Sequence, residues 1–473
     1  MNKDISDIYF KNLLTLLNKT YHLKLFYLPG IHSVDSQTRD YDNNRLKYFL
    51  NLKKIFDQDY YIFDQKKLKK SRVVFLTHYL GEKLLGEQDF YYGKIFKFLN
   101  SKKIDFTVFM LNKSTQSINQ IKENFLGFKY STVIINNYSH PIKDFKIIIY
   151  TVFLYLRFLI YKNRIKFNFF EKKIIEKKVN LNAFLKARTS LKIFNIIKTI
   201  LGKHGNKVNK FITTYEGHAF EKIIFDYCQK KKIISFGYFF SVIRKRSSCI
   251  FYPYPKKITP DKVFVTGGII KKFFSKNENL NRETIIVGSG RKFIEKKFYF
   301  NNLIKKKSTV LFCPEGIYPE SVIMYNLALK ISKINTFISP IIRFHPEIDQ
   351  KKLFNDKKIL ENNSNNVEIS HKNLDDDILR SEFLIYRGSS MCINGVFAGV
   401  FPIYFKLRNE KSIDPLFEVN NYTVTSPHEL VSLIMKIKDP INAIKISKYM
   451  SNLLNYSSGY FEKINKKNLI KNI

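Results

Sequence analysis

Tryptophan is absent from this chain of 473 residues, cysteine occurs four times, and 40 acidic residues face 81 lysines and arginines. Each scarcity closes off a class of protein. Cys228, Cys249, Cys313 and Cys392 lie far apart and never as C-x-x-C, and no His cluster has metal spacing. A disulfide scaffold, a zinc ribbon and a metal site are therefore not expected, and reduced thiols in a cytoplasmic protein are. The first residues, Met1 to Asp7, are charged and lack a signal-peptide core. The most apolar run, Ile147 to Tyr161, is interrupted by Arg157 and falls short of the roughly 20 residues that span a bilayer. It reads as a buried helix or as an interfacial one. There is no P-loop, no G-x-G-x-x-G after the first strand and no D-x-D in clear context. Asp375-Asp376-Asp377 reads as the charge run of a helix start.

Arginine is scarce too: it supplies 14 of the 81 basic residues. Abundant Lys, Asn, Ile and Phe without Trp match a drift towards AT-rich codons. The net charge of +41 then reads as drift and solvated faces. Its functional alternative is an anionic membrane leaflet as partner. Zinc-finger, RNA-recognition and basic-zipper patterns are missing, so no nucleic acid partner is expected.

What is present is rhythm. Apolar runs at 72–78, 105–111 and 131–135 alternate with helical stretches, the first at 88–100. After a helical region from 143 to about 204, strands are expected at 210–215, 232–238, 260–267 and 284–290. A second series follows at 309–313, 338–344, 367–369, 383–386, 401–405 and 423–424, with helices between. Alternating strands and helices predict parallel sheets covered on both faces. The length holds two such domains. The expected fold class is α/β, two tandem Rossmann-like doubly wound domains with an interdomain cleft. Its expected parts are an extension (1–70), a first domain (71–294), a Lys-rich linker (295–308), a second domain (309–440) and a helical tail (441–473). No internal repeat is apparent.

Doubly wound sheets bind ligands at the carboxyl ends of their strands, and several polar residues fall there. Glu216, with Gly217 giving room for close approach, reads as a general base or as the cap of the helix that follows. Arg343 and His345 close an apolar strand before Pro346. They read as a phosphate-binding pair or as a structural pair held by a carboxylate. Arg387-Gly388-Ser389-Ser390 reads as a phosphate seat at a helix N-terminus or as an ordinary Ser cap. Glu315, Gly316, His218 and Arg291 are further possible ligand contacts, and His78, Asp414 and Glu418 weaker candidates.

Tyr215-Glu216-Gly217, His345-Pro346 and Ser389-Ser390 resemble, in their order, the bacterial GT-B glycosyltransferases that use CMP-activated sugars. These are the sialyltransferases and the Kdo transferases of capsule and lipopolysaccharide. The resemblance implies Glu216 as base, with His345 and the Ser pair on the CMP phosphate. The wider run 210–420 looks like surface-carbohydrate biosynthesis proteins. The matching parts are Thr214 to Glu221, Phe236-Gly237-Tyr238, Pro260-Asp261, Gly288-Ser289-Gly290-Arg291 and the Arg-Gly-Ser-Ser turn. Two departures stand out. Tyr215 occupies the first acidic position, and Phe239-Phe240 stand where such proteins often place a polar Gln-His pair. The resemblance implies a GT-B, metal-independent, inverting transferase that takes a nucleotide sugar as substrate, needs no cofactor and acts on a glycan or lipid-linked acceptor. Three rivals stay open: a CDP-linked polyol-phosphate transferase of teichoic-acid type with His218 as a second catalytic His, a nucleotide-sugar epimerase, and a degenerate GT-B glycan-binding protein.

Overall fold

Phe106–Asn112 is buried at all seven positions and Val73–Tyr79 at all but one, so neither strand keeps a solvated face. Such strands persist only inside a parallel sheet covered on both sides. The computed structural model describes residues 5–28, 59–79, 89–114, 116–124, 130–136, 141–205, 207–243, 250, 254–276, 282–291, 293–304, 307–345, 348–355, 366–408, 410, 412–419 and 421–473. The chain divides into two units. The first comprises Met1–Phe240, Cys249–Arg291 and Glu462–Ile473, the second Ser241–Ser248 and Lys292–Phe461.

The first unit holds an eight-stranded sheet: β1 (Tyr60–Ile62), β2 (Val73–Tyr79), β3 (Phe106–Asn112), β4 (Ser131–Ile135), β5 (Lys210–Thr214), β6 (Ile234–Phe239), β7 (Lys262–Val265) and β8 (Glu283–Ile286). The spatial order is β1-β4-β3-β2-β5-β6-β7-β8. Strands β2 to β8 pair in parallel and β1 runs antiparallel to β4. The expected extension 1–70, for which no strand is named, holds β1. Three residues carry no readable alternation, and pairing with β4 alone makes them a strand. From β2 the chain builds outward to β4, then returns through helices Pro141–Lys162, Phe169–Lys178, Leu181–Lys186 and Arg188–His204 to start β5 on the other side of β2. That reversal opens a crevice at the carboxyl ends of β2 and β5.

The amino-terminal helix Ile5–Lys19 packs on this crossover. Phe10, Leu13 and Leu17 bury with Ile174, Ile175 and Leu191 in one apolar cluster. Lys19 meets the fully buried Glu171 at 2.9 Å. The expected extension is thus, over residues 5–28, part of the first unit. The expected tail divides. Helix Ala443–Ser458 lies in the second unit, whereas Asn465 donates its N–H to the Val287 carbonyl at 3.0 Å in the first. The division between units falls at Arg291 rather than within 295–308, because Phe293 packs on Phe397 and Phe461, each at 5.1 Å.

The second unit holds six parallel strands: β9 (Ser308–Phe312), β10 (Ile338–Ile342), β11 (Glu368–Ile369), β12 (Phe383–Tyr386), β13 (Phe401–Phe405) and β14 (Thr423–Val424). Their order is β11-β10-β9-β12-β13-β14, so the reversal lies between β9 and β12. Two tandem Rossmann-like units are therefore present. Cys228, Cys313 and Cys392 are buried thiols, and burial pushes the Cys313 thiol up to about 12, which makes it a poor nucleophile. Cys249 lies outside the described residues, as does Pro346.

Candidate functional site

The chain leaves β5 beside the reversal of the first sheet. Tyr215 still bonds the Tyr238 carbonyl at 2.9 Å and turns its ring inward, edge-on to Phe225. An ionised carboxylate in that core position would be desolvated without compensation. Glu216 and His218 turn outward, and Gly217 between them takes φ +89°, a conformation Gly adopts without penalty.

The loop is held by a residue that was not among the candidate site residues. Glu221, fully buried in the first turn of helix Ala219–Lys230, accepts the N–H groups of Glu216 (3.1 Å), Gly217 (2.7 Å) and His218 (2.9 Å). Lys222 donates to the Gly217 carbonyl and lies over the Tyr254 ring at 4.9 Å. Burial pushes the Glu221 carboxyl up to about 7, against the charges of His218 and Lys222. The alternative reading of Glu216 as the helix cap is thereby settled: Glu221 does the capping. The Glu216 carboxylate stays exposed, 3.3 Å from His218 Nε2. Desolvation by the protein around the loop draws the His218 pKa down, but the bond to Glu216 and the charge of Glu221 outweigh it and the net shift is upward.

His78, at the end of neighbouring β2, sets its ring against Phe220 and Tyr91 (6.1 and 5.9 Å). Its Nδ1 is buried without a hydrogen-bond partner among the described residues. Desolvation first, then the charges of Lys113 and His218, lower its pKa to about 3 and keep it neutral. Arg291 lies over Phe90 and Phe240 at 5.1 and 5.5 Å. Phe240, one of the two departures from the polar pair, is thus part of an aromatic seat for a guanidinium. Gly290 permits this approach, since a Cβ there would stand 2.6 Å from the Tyr91 carbonyl oxygen.

In the second unit the loop after β9 carries Glu315 and Gly316. The Glu315 N–H donates to Glu320 Oε1 at 2.9 Å, and Glu320 Oε2 lies 3.5 Å from Arg387 Nε on the loop after β12. Arg387, 3% exposed, donates through Nη2 to both oxygens of Glu410 at 2.6 and 2.7 Å. Its Nη1 is buried without a partner among the described residues. Strand β10 ends at Ile342, two residues before its expected end, so Arg343 and His345 do not form a pair along a strand. Arg343 bonds Asp377 Oδ2 at 2.9 Å and the Lys372 carbonyl. His345 is exposed and packs on Gly316, where a Cβ would stand 2.9 Å from Nδ1. The charge run at 375–377 does begin a helix, yet Asp377 is fully buried and binds Arg343, Arg380 and Ser370.

Gly388, Ser389 and Ser390 precede helix Met391–Phe397, which has seven residues. Ser389 Oγ accepts the Met391 N–H at 3.3 Å, as a cap does, whereas Ser390 makes no capping bond. Asp414 is buried and accepts from Tyr386, Leu416 and Asn421. Among the described residues no three His, Cys, Asp or Glu side chains converge as a metal site would require.

The fold thus gathers Glu216, Gly217, His218, His78 and Arg291 at one sheet edge, and Glu315, Gly316, His345 and Arg387 at the other. It assigns Arg343 to an ion-pair network. Glu221, inside the matching stretch 214–221, and Glu320 were not among the candidate site residues. Their signal was the shared spacing Glu-Gly-x-x-x-Glu, at 216–221 and 315–320.

No protein-family model and no curated protein matches the chain. Similar solved structures exist. A UDP-GlcNAc 2-epimerase from Methanocaldococcus jannaschii is 15% identical, with 81% of this chain and 99% of that one covered at a TM-score of 0.42. S. aureus MnaA, solved with UDP, is 10% identical over 85% and 95% at 0.48. A glycosyltransferase from Rickettsia africae is 12% identical over 85% and 97% at 0.43.

Proposed function

We propose that the protein is a glycosyltransferase that moves a sugar from a nucleotide-activated donor, a CMP-sugar by preference, to a surface-polysaccharide or lipopolysaccharide acceptor. The observation that carries this reading is the Glu216–His218 pair. It is an exposed carboxylate 3.3 Å from an imidazole, on a loop held rigid by Glu221 at the reversal of a doubly wound sheet. A carboxylate there takes the proton of an acceptor hydroxyl as the hydroxyl attacks, and His218 keeps it oriented. The loops of the second unit receive the nucleotide. His345 hydrogen-bonds the leaving phosphate, while Gly388, Ser389 and Ser390 offer it backbone N–H groups and the Ser390 hydroxyl. Metal-independent, inverting displacement is the form of reaction that the resemblance implies.

A second reading draws on the same pair. In a CDP-linked polyol-phosphate transferase His218 itself is the base, and Glu216 raises its basicity.

Thermal denaturation with CMP, CDP, UDP, GDP and ADP, repeated on His345→Ala, separates these readings. Ligand at 100 times its Kd stabilises by about 2.7 kcal/mol. Stabilisation by CMP that disappears in the variant supports the sugar transferase, and stabilisation by CDP supports the polyol-phosphate reading. Preference for UDP or GDP changes the donor. No shift with any nucleotide overturns both.

A further inference from the structure

Helix Pro141–Lys162 is apolar on opposite faces. Ile147, Thr151, Leu154 and Phe158, spaced by four, three and four, point inward and are buried. At the helical period the opposite face falls on Phe145, Ile149, Val152, Phe153, Leu156, Leu159 and Ile160. Of these, Phe145, Ile149, Phe153, Leu156 and Ile160 are each between 52% and 62% exposed. A helix on the surface of a globular unit should be polar there. The patch continues onto the neighbouring helix Leu181–Lys186, which packs beside it and exposes Leu181 and Leu185. Phe169 and Phe170, also exposed, begin the helix between them. Contiguous exposed apolar surface of this extent marks an interaction site.

The charge around the patch selects the occupant. Residues 141–186 carry eleven lysines and arginines against three acidic residues, a net +8. One of the three, Glu171, is buried against Lys19. Two copies of such a surface would repel each other, and a protein partner would have to supply both acidic and apolar surface. An anionic lipid leaflet offers both in one layer: headgroups for Lys143, Lys146, Arg157, Lys162, Arg164 and Lys166, and acyl chains for the phenylalanines. Among the described residues no helix is long and apolar enough to cross a membrane. We infer that helix Pro141–Lys162 lies in the plane of an anionic membrane surface with its Phe145–Ile160 face inserted, and that the adjoining lysines and arginines engage the headgroups. The inference is independent of the nucleotide-sugar reading, because it uses none of the residues assigned there.

The test is vesicle flotation of the full chain on phosphatidylcholine alone and on phosphatidylcholine with about 30% phosphatidylglycerol, compared with the triple variant Phe153→Ser, Leu156→Ser, Ile160→Ser. This variant keeps every charge and touches only outward positions, so its far-ultraviolet dichroism and melting temperature should match the parent. The parent should float with anionic vesicles, weakly with neutral ones, and less as salt is raised. The variant should lose at least tenfold in apparent affinity. Equal flotation of parent and variant would mean that the +41 charge adsorbs non-specifically, and would overturn the inference. So would no flotation of the parent. A parent that is dimeric by light scattering, with the variant monomeric and no flotation of either, would assign the face to a second copy instead.

Discussion

The loops that leave β5 and β9 share one device and put it to different use. In each, Glu-Gly precedes a helix whose buried glutamate, five residues after the first, accepts backbone N–H groups of the loop. In the first unit the clamp is closed on itself. Glu221 receives three N–H groups of its own loop, and the Glu216 and His218 side chains are left outward. In the second unit, among the described residues, Glu320 accepts the Glu315 N–H and sets its other oxygen 3.5 Å from Arg387 Nε, across the reversal between β9 and β12. One clamp makes a loop rigid so that its side chains stay available, and the other ties two loops together. The glycines differ as well: Gly217 is required by φ +89°, Gly316 by the ring of His345.

Removing each clamp is the sharpest way to break this comparison. Glu221→Ala takes the acceptor from one buried and two part-buried N–H groups and should cost about 3 kcal/mol, at roughly 1–3 kcal/mol for an unsatisfied buried group. Glu320→Ala takes the acceptor from the Glu315 N–H and leaves Arg387 with Glu410, so about 2 kcal/mol is expected. Denaturant unfolding of both variants measures the difference, and equal losses would mean that the two clamps are equivalent.

Glu216→Gln should show the reverse. Its carboxylate is exposed, so stability should hold within about 0.5 kcal/mol, while turnover should fall by roughly 100-fold or more. A variant that keeps its turnover would remove Glu216 from the chemistry.

The Glu221 carboxyl also predicts a pH dependence. Its folded pKa, about 7, lies above the unfolded value of 4.5. Between these values the folded state binds the proton more tightly, so this contribution is full below pH 4.5 and is lost as pH rises through 7. Unfolding free energy measured across that window should decline more steeply in the parent than in Glu221→Gln. A parallel pair of curves would place the titration elsewhere.

The smallest effect separates the two glycines. Gly217→Ala should cost about 1 kcal/mol or slightly more through backbone strain. Gly316→Ala has a backbone that Ala tolerates and should act on His345, seen as a shift of its imidazole resonances. If both variants lose the same stability and leave the His345 resonances in place, the distinction fails.

Much of the fold was legible because buried parallel strands are short apolar runs between breakers. The expected bounds 131–135, 383–386 and 401–405 coincide with β4, β12 and β13. Helix Pro427–Lys438 carries an equally local signal, Pro at its start and Ser426 as cap. Strand β1 and the docking of Ile5–Lys19 were not legible, since each depends on partners some 75 to 180 residues away. At the site, Glu216, Gly217 and His218 could be picked out as a loop after a strand, whereas Arg343 looked the same as His345 until Asp377 was seen to hold it.

By itself the sequence determined where the chain is extended, where it is helical, and which polar residues close the strands, because apolar period and breaking residues are local properties. Tertiary structure alone decided which of those polar residues stay available. It buried Glu221, Glu320 and Asp377, so that they must spend their charge on backbone donors and arginines, and left Glu216, His218 and His345 in solvent. Burial is set by what packs around a residue, and desolvation is what turns a carboxylate from a reagent into a clamp.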